Sequence, residues 1–166
     1  MEHPSQLASR IREVFLDGRW IANTNYQTLL SDVHWPIAVR TIGSLNSIAA
    51  LTYHVRYYLL GVLRVLEGGT LDIRDRYSFD LPTLTCEEDW IELKSTLLTG
   101  ATAFAQAVGQ IPPEKLESAF ADPQYGNYRR NIEAIIEHSY YHLGQISLIK
   151  KQLMEAQITR TAFTEE

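Results

Sequence analysis

The chain has 166 residues, of which 45% are hydrophobic and 21% charged, and its formal net charge is −5 at pH 7. This length and composition predict one domain, residues 1–166, with a hydrophobic core of its own. Acidic and basic residues are mixed without a basic stripe, which excludes an electrostatic interface for nucleic acid. No apolar run approaches the ~20 residues that cross a bilayer, which excludes a membrane span. Cys86 is the single cysteine, which excludes an internal disulfide framework.

The first predicted helix follows a terminus, Met1–Pro4, that lacks the charged and apolar regions of a signal peptide. We therefore expect a cytoplasmic protein. From Leu7 to Leu29, apolar residues recur at steps of three and four, which is the spacing of one helix face. Pro4-Ser5, in front of this run, is typical of an N-cap region.

Two further helices are predicted in the middle of the chain. The second runs from about Gly43 to Glu67, where Gly68-Gly69 ends it. The third carries its apolar face from Trp90 to Val108. Just before it, Thr85 with Glu88 three residues later predicts a capping box.

The fourth predicted helix runs from about Asn127 to Leu153. Residues 68–84 and 110–126 are longer than the 2–8 residues typical between neighbouring helices of a bundle, so a crossover connection is possible. Strand and hairpin signals are weak. The expected fold is all-α, a four-helix bundle with a long crossover connection between helices 2 and 3.

Three histidines predict a metal site. His138 and His142 are four residues apart, so both rings lie on one face of the fourth helix and can reach one ion at about 2.0–2.1 Å. His54 lies within the apolar second helix, and all three rings can point inward. The alternative is a set of buried histidines that hydrogen-bond to nearby polar side chains such as Tyr141.

Other metal motifs fit this chain poorly. A zinc-protease helix needs glutamate directly after its first histidine, where this chain has Ser139, and a di-iron bundle needs Glu-x-x-His on two helices. Three neutral nitrogens leave an open coordination position, which favours chemistry over a structural role. Polar residues that could support the ligands or line a pocket are Tyr57, Tyr58, Asn131, Asn25 and Gln145, each of which could equally be a packing or capping residue.

With these residues in place, the chain resembles the DinB-like superfamily of metal-binding four-helix bundles. The resemblance covers nearly the whole chain and includes His54 and the pair His138-x-x-x-His142. Its other matching stretches are Leu45–His54, Gly68-Gly69, Tyr77–Pro82, Glu87–Trp90 and Tyr125–Tyr128.

The resemblance implies that His54, His138 and His142 hold a divalent metal ion in a homodimeric protein. We expect zinc or nickel, with iron, cobalt or copper as alternatives. Characterised relatives include thiol S-transferases and a mycothiol-dependent isomerase, which implies a small-molecule substrate and possible use of a low-molecular-weight thiol.

Whether the chain is an enzyme stays open at this point. A divalent ion can generate a nucleophile from a thiol or from water at neutral pH. Hydrolysis benefits from a general acid or base, and no inward carboxylate is evident beside the histidines, which favours thiol transfer. Cys86 cannot be placed near the site, so the thiol would come from a cofactor. The alternatives are a metal-dependent hydrolase and a non-catalytic metal-binding stress or interaction module.

Overall fold

The computed structural model describes the backbone of residues 3–162 and the side chains of residues 3–156. This part of the chain is helical and contains no β-strand, only an isolated bridge between Ala119 and Asn127. The expectation of an all-α fold is therefore confirmed. The α-helices are α1 (Pro4–Phe15), α2 (Tyr26–Leu30), α3 (Trp35–Ala38), α4 (Ile48–Leu66), α5 (Glu87–Gln110) and α6 (Tyr128–Ala162). Short 3₁₀ helices span Asp75–Tyr77, Pro113–Glu117 and Pro123–Tyr125.

The core lies between the four longest helices. Helix α5 packs against α1 and α4, and α6 packs against the same two helices. Each long helix turns its apolar residues inward, because burying that face removes them from water. The largest fully buried side chains are Trp90, Tyr26, Phe15, Phe104, Leu7, Ile11, Leu30, Ile48, Leu59, Leu97, Leu116 and Ile132.

The first predicted helix is too long. Helix α1 ends at Phe15, and the chain turns before the short helix α2 begins. At the turn, Gly18 approaches Glu13 so closely that a Cβ on the glycine would lie 2.1 Å from Cγ of Glu13. Asn25 then caps α2, because its side-chain oxygen accepts a hydrogen bond from the backbone N–H of Thr28. The apolar period continues across this break because α2 also buries its residues in the core.

The boundaries of the second helix are partly as predicted. Its end is right, since α4 stops at Leu66 and Gly68 has a φ of 88°, which glycine adopts without steric cost. Its predicted start at Gly43 is wrong, because α4 begins at Ile48. Ser47 accepts the backbone N–H of Ala50 at 3.1 Å and so provides the N-cap.

The predicted capping box of the third helix is also wrong. The N-cap of α5 is Cys86, whose side chain makes no capping hydrogen bond. The Asp89 carboxylate instead accepts the backbone N–H of Thr85 at 2.7 Å and its hydroxyl at 2.9 Å. Because the helix begins one residue later than predicted, Asp89 rather than Glu88 is its third residue and accepts these hydrogen bonds. Helix α6 begins at Tyr128, close to the prediction, and continues beyond Leu153.

The long connection between α4 and α5 is fastened to its neighbours by hydrogen bonds. The hydroxyl of Tyr57 donates to the carbonyl of Arg74 at 3.1 Å and accepts its N–H at 2.8 Å. Near the other end, the indole of Trp35 donates to the carbonyl of Leu84 at 3.2 Å. The connection therefore lies against the helices and passes beside His54. Within residues 3–162, no helix has both the length and the apolar character that crossing a membrane requires.

Candidate metal centre

The three histidines that the sequence predicts to converge do lie together. His54 comes from the middle of α4, and His138 and His142 come from successive turns of α6. The Nε2 atom of His138 lies 3.0 Å from Nε2 of His142 and 3.1 Å from Nε2 of His54. One ring nitrogen from each histidine falls within 4.8 Å of the other two, in an arrangement that can hold a metal ion.

Two of the three nitrogen–nitrogen separations suit ligands of one ion. Nitrogens bound at 2.0–2.1 Å lie about 2.9 Å apart at right angles and about 3.4 Å apart in a tetrahedron. The two measured Nε2 to Nε2 distances, 3.0 and 3.1 Å, fall inside that range. His54 and His142 are buried and His138 is partly buried, so the rings are held by their surroundings.

Hydrogen bonds on the far side of two rings fix their tautomers. Nδ1 of His54 lies 3.3 Å from the carbonyl oxygen of Ser78, which can only accept, so Nδ1 carries the proton. Nδ1 of His142 donates to Oε1 of Gln145 at 2.6 Å, with that amide oxygen assigned as the acceptor. In both neutral rings, Nε2 is therefore left with a lone pair directed at His138.

The arrangement of lone pairs is the observation that best fits a metal ion. A neutral His138 has one proton to share, so its Nε2 cannot donate to both His54 and His142. At least one of the two short nitrogen–nitrogen contacts therefore has no hydrogen bond to offset the repulsion between its atoms. A cation between the three rings removes that repulsion, and zinc-type ions bind neutral imidazole nitrogen.

The electrostatic surroundings keep the three rings neutral. Burial lowers the pKa of His54, and the positive charge that His142 would carry lowers it further. Burial also lowers the pKa of His142. The pKa of His138 falls to about 4, first because of burial and then because of repulsion from His142 and His54. Near neutral pH the nitrogens are free of the additional protons that would compete with a metal.

Aromatic side chains surround the histidines. The ring of Phe79 stacks on His54 with its centroid 4.1 Å away and an interplanar angle of 16°. Tyr58 presents its edge to His54 at 5.0 Å and to His138 at 5.2 Å. These rings pack against His54 and His138 and lower the local dielectric, which strengthens electrostatic interactions with a bound ion.

Of the polar residues predicted to support the ligands, Gln145 and Tyr58 contact the histidines, whereas Tyr57, Asn131 and Asn25 make their hydrogen bonds elsewhere. Gln145 contacts Nδ1 of His142, the ring nitrogen that faces away from the other two histidines. The hydroxyl of Tyr57 binds backbone groups of Arg74, and the amide of Asn131 donates to backbone carbonyls at the start of α6. Asn25 caps α2. Tyr58 reaches the site through its ring, while its hydroxyl donates to Asp75 at 2.8 Å.

The sequence did not indicate the contributions of Asp75, Ser78 and Phe79. All three lie in the long connection between α4 and α5, which has no regular period. Ser78 acts through its backbone carbonyl, a group that every residue has, so no residue type could have marked it. The length of the connection was the available signal. It indicated only that a crossover connection is possible, and so did not identify these residues.

Among residues 3–156, no carboxylate belongs to the cluster that the three histidines form. Glu137, next to His138, is exposed and forms an ion pair with Arg130 at 2.9 Å. Asp75 approaches the site through the hydroxyl of Tyr58. A site built from imidazoles alone leaves the full charge of a divalent ion in place, which increases its effect on the pKa of a coordinated group.

Comparison with protein-family models, curated protein sequences and solved structures finds no significant match to this chain. Membership of the DinB-like superfamily therefore stays a prediction. We infer function from the residues of the site and their chemistry.

Proposed function

We propose that this chain is a homodimeric, cytoplasmic, DinB-like four-helix bundle that works as a metal-dependent thiol S-transferase. Its ion, zinc or nickel, would be held by His54, His138 and His142. The observation that carries the proposal is the convergence of three neutral imidazoles, with Nε2 separations of 3.0 and 3.1 Å and no carboxylate among them.

A divalent ion at this position would lower the pKa of a coordinated thiol so that the thiolate forms at neutral pH. The protein's contribution is to orient the ligands. The carbonyl of Ser78 and the amide oxygen of Gln145 hold protons on the Nδ1 atoms of His54 and His142. Both Nε2 lone pairs are thereby aimed at one point, and such outer partners commonly change metal affinity by about 10–100-fold.

The reaction class follows from what the site contains and what it lacks. In the transfer, the thiolate sulfur attacks an electrophilic carbon, a C–S bond forms, and the leaving group departs with the electron pair of the broken bond. The proton of the thiol goes to solvent. No general base is needed once the thiolate has formed, which agrees with a cluster that contains three histidines and no carboxylate among the described residues.

The thiol would be a separate small molecule. Cys86, the single cysteine of the chain, caps the start of α5. It lies outside the cluster of three histidines and is only partly exposed. The proposed substrates are therefore a low-molecular-weight thiol and a small electrophile.

A metal-dependent hydrolase is the second candidate. The specific feature in its favour is the pair formed by Tyr58 and Asp75, whose hydrogen bond at 2.8 Å ends beside two of the histidines. A carboxylate that can receive a proton through a phenol hydroxyl would assist attack by water on a carbonyl.

The two candidates are separated by assaying the metal-loaded protein with a thiol plus an aryl halide, and in parallel with an ester or amide and no thiol. We expect thiol consumption that requires added zinc or nickel and disappears in His138→Gln. The matched control is His34→Ala, since His34 is exposed and lies outside the cluster of three histidines. Ester or amide cleavage without thiol loss would favour the hydrolase.

A further inference from the structure

The segment Asp75–Phe79 covers the side of His54 that faces away from the other two histidines. The carbonyl of Ser78 lies 3.3 Å from Nδ1 of His54, and the ring of Phe79 stacks on the imidazole at 4.1 Å. The carbonyl fixes which nitrogen is protonated, and the stacked ring fixes the plane of the imidazole. Both contacts orient the same candidate ligand.

The segment is held in shape by Asp75. Its backbone carbonyl accepts the N–H of Ser78 at 3.0 Å and the hydroxyl of Ser78 at 2.8 Å, closing the 3₁₀ turn. Ser78 is 3% exposed although its neighbours are exposed, because it faces His54. The position of the Ser78 carbonyl therefore depends on where Asp75 is held.

Asp75 is in turn held by the helix that carries His54. Tyr58 lies one turn after His54 on α4, so the two side chains share a face of the helix. Its hydroxyl donates to Oδ1 of Asp75 at 2.8 Å, and its ring edge contacts both His54 and His138. One side chain thus links the segment to two of the three histidines.

We propose that Tyr58 and Asp75 are positioning residues for the metal site. Their hydrogen bond keeps the Ser78 carbonyl and the Phe79 ring against His54, and so holds this ligand in the tautomer and orientation that an ion needs. Neither residue contacts the ion. The inference rests on the proposed function, because it requires that the three histidines bind metal.

The neighbouring tyrosine provides a matched comparison. Tyr57 also fastens the connection to α4, through the backbone of Arg74, but its ring packs against Tyr53 and Tyr58 rather than against the histidines. Removing the hydroxyl of Tyr57 loosens the same connection, whereas removing the hydroxyl of Tyr58 acts at the segment that touches His54. The two single-atom deletions separate a general effect on the connection from positioning of the ligand.

The first test measures zinc affinity by competition with a chromophoric chelator. We expect Tyr58→Phe and Asp75→Ala to weaken binding about tenfold, at the lower end of the effect of removing a partner of a metal ligand. Asp75→Asn should rescue affinity because its amide oxygen still accepts from Tyr58. The zinc affinity of Tyr57→Phe should stay within about threefold of wild type, because the lost hydroxyl bonds to the backbone of Arg74 and not to a histidine or to Asp75.

The second test uses the reciprocity of linked equilibria. If the segment improves metal binding, metal must stabilise the segment by the same free energy. Trypsin cleavage after the exposed Arg74 and Arg76 should therefore slow when zinc is added to wild type, and should slow less in Tyr58→Phe. Circular dichroism of each variant verifies that the helices are retained.

The outcomes distinguish this inference from the proposed function. If wild type binds no metal, both fail. If wild type binds metal and Tyr58→Phe binds it equally well, or Tyr57→Phe weakens binding as much as Tyr58→Phe does, only the positioning role is refuted. The expected pattern is a loss in Tyr58→Phe and Asp75→Ala, rescue in Asp75→Asn, and little change in Tyr57→Phe.

Discussion

The Nε2 atoms of His54 and His138 lie 3.1 Å apart although 84 residues separate them in the chain. Helices α4 and α6 bring them together by packing along their apolar faces. The same core that stabilises the fold therefore also assembles the candidate site. Substitutions of the histidines and of their hydrogen-bond partners can test the site while the core is left intact.

Replacing His138 by glutamine should abolish tight metal binding while the helices remain. His138 is partly buried, and glutamine is similar in size, so no large cavity is created. In wild type, an ion at 100 times its Kd should add about 2.7 kcal/mol to the free energy of unfolding. Urea unfolding with and without zinc should show this gain in wild type and not in His138→Gln. An equal gain in both would place the ion elsewhere.

Replacing Gln145 by leucine should weaken metal binding about 10–100-fold, because Nδ1 of His142 loses the acceptor that fixes its tautomer. Isothermal titration with zinc measures the change. Gln152→Leu, on the exposed side of the same helix, is the matched control and should bind like wild type. Unchanged affinity in Gln145→Leu would mean that His142 keeps its orientation through packing alone.

The metal-free protein should lose stability as the pH falls from about 6.5 towards 4. Burial lowers the pKa of His138 to about 4, and also lowers those of His54 and His142, below the ordinary value of 6.5. In that window the unfolded chain binds more protons than the folded one, so protons favour unfolding. Urea midpoints measured across this range test the direction. The dependence should be weaker in His138→Gln, and a midpoint that rises as pH falls would contradict it.

Replacing Asn25 by alanine should lower the free energy of unfolding by about 1–2 kcal/mol, because α2 loses its N-cap. Zinc affinity should stay unchanged, since Asn25 makes its side-chain hydrogen bonds to Thr28 and Gly18. Urea unfolding and zinc titration on the same variant test both parts. A change in zinc affinity without a change in stability would instead favour the pocket role that the sequence left open.

Helix faces were the part of the structure that sequence could predict best. Apolar residues at steps of three and four reflect burial directly, so the long helices and the inward direction of the histidines followed from the period. The break after Phe15 did not, because α2 continues the same apolar period after the turn at Gly18.

Hydrogen-bond partners outside the helices were the part that sequence could not predict. Gln145 was one of several equal candidates until its amide was seen against His142. Ser78 contributes a backbone carbonyl, and Phe79 a stacked ring, from an irregular segment whose path depends on tertiary contacts. Side-chain spacing carries no information on either contact.

The most direct measurement is the metal content of the untagged protein, determined by mass spectrometry beside that of His54→Ala. The three converging histidines predict about one zinc or nickel ion per chain in wild type and almost none in the variant. No metal in wild type, even after zinc and nickel are added, would contradict the metal centre. The histidines would then be core residues of a protein without metal chemistry.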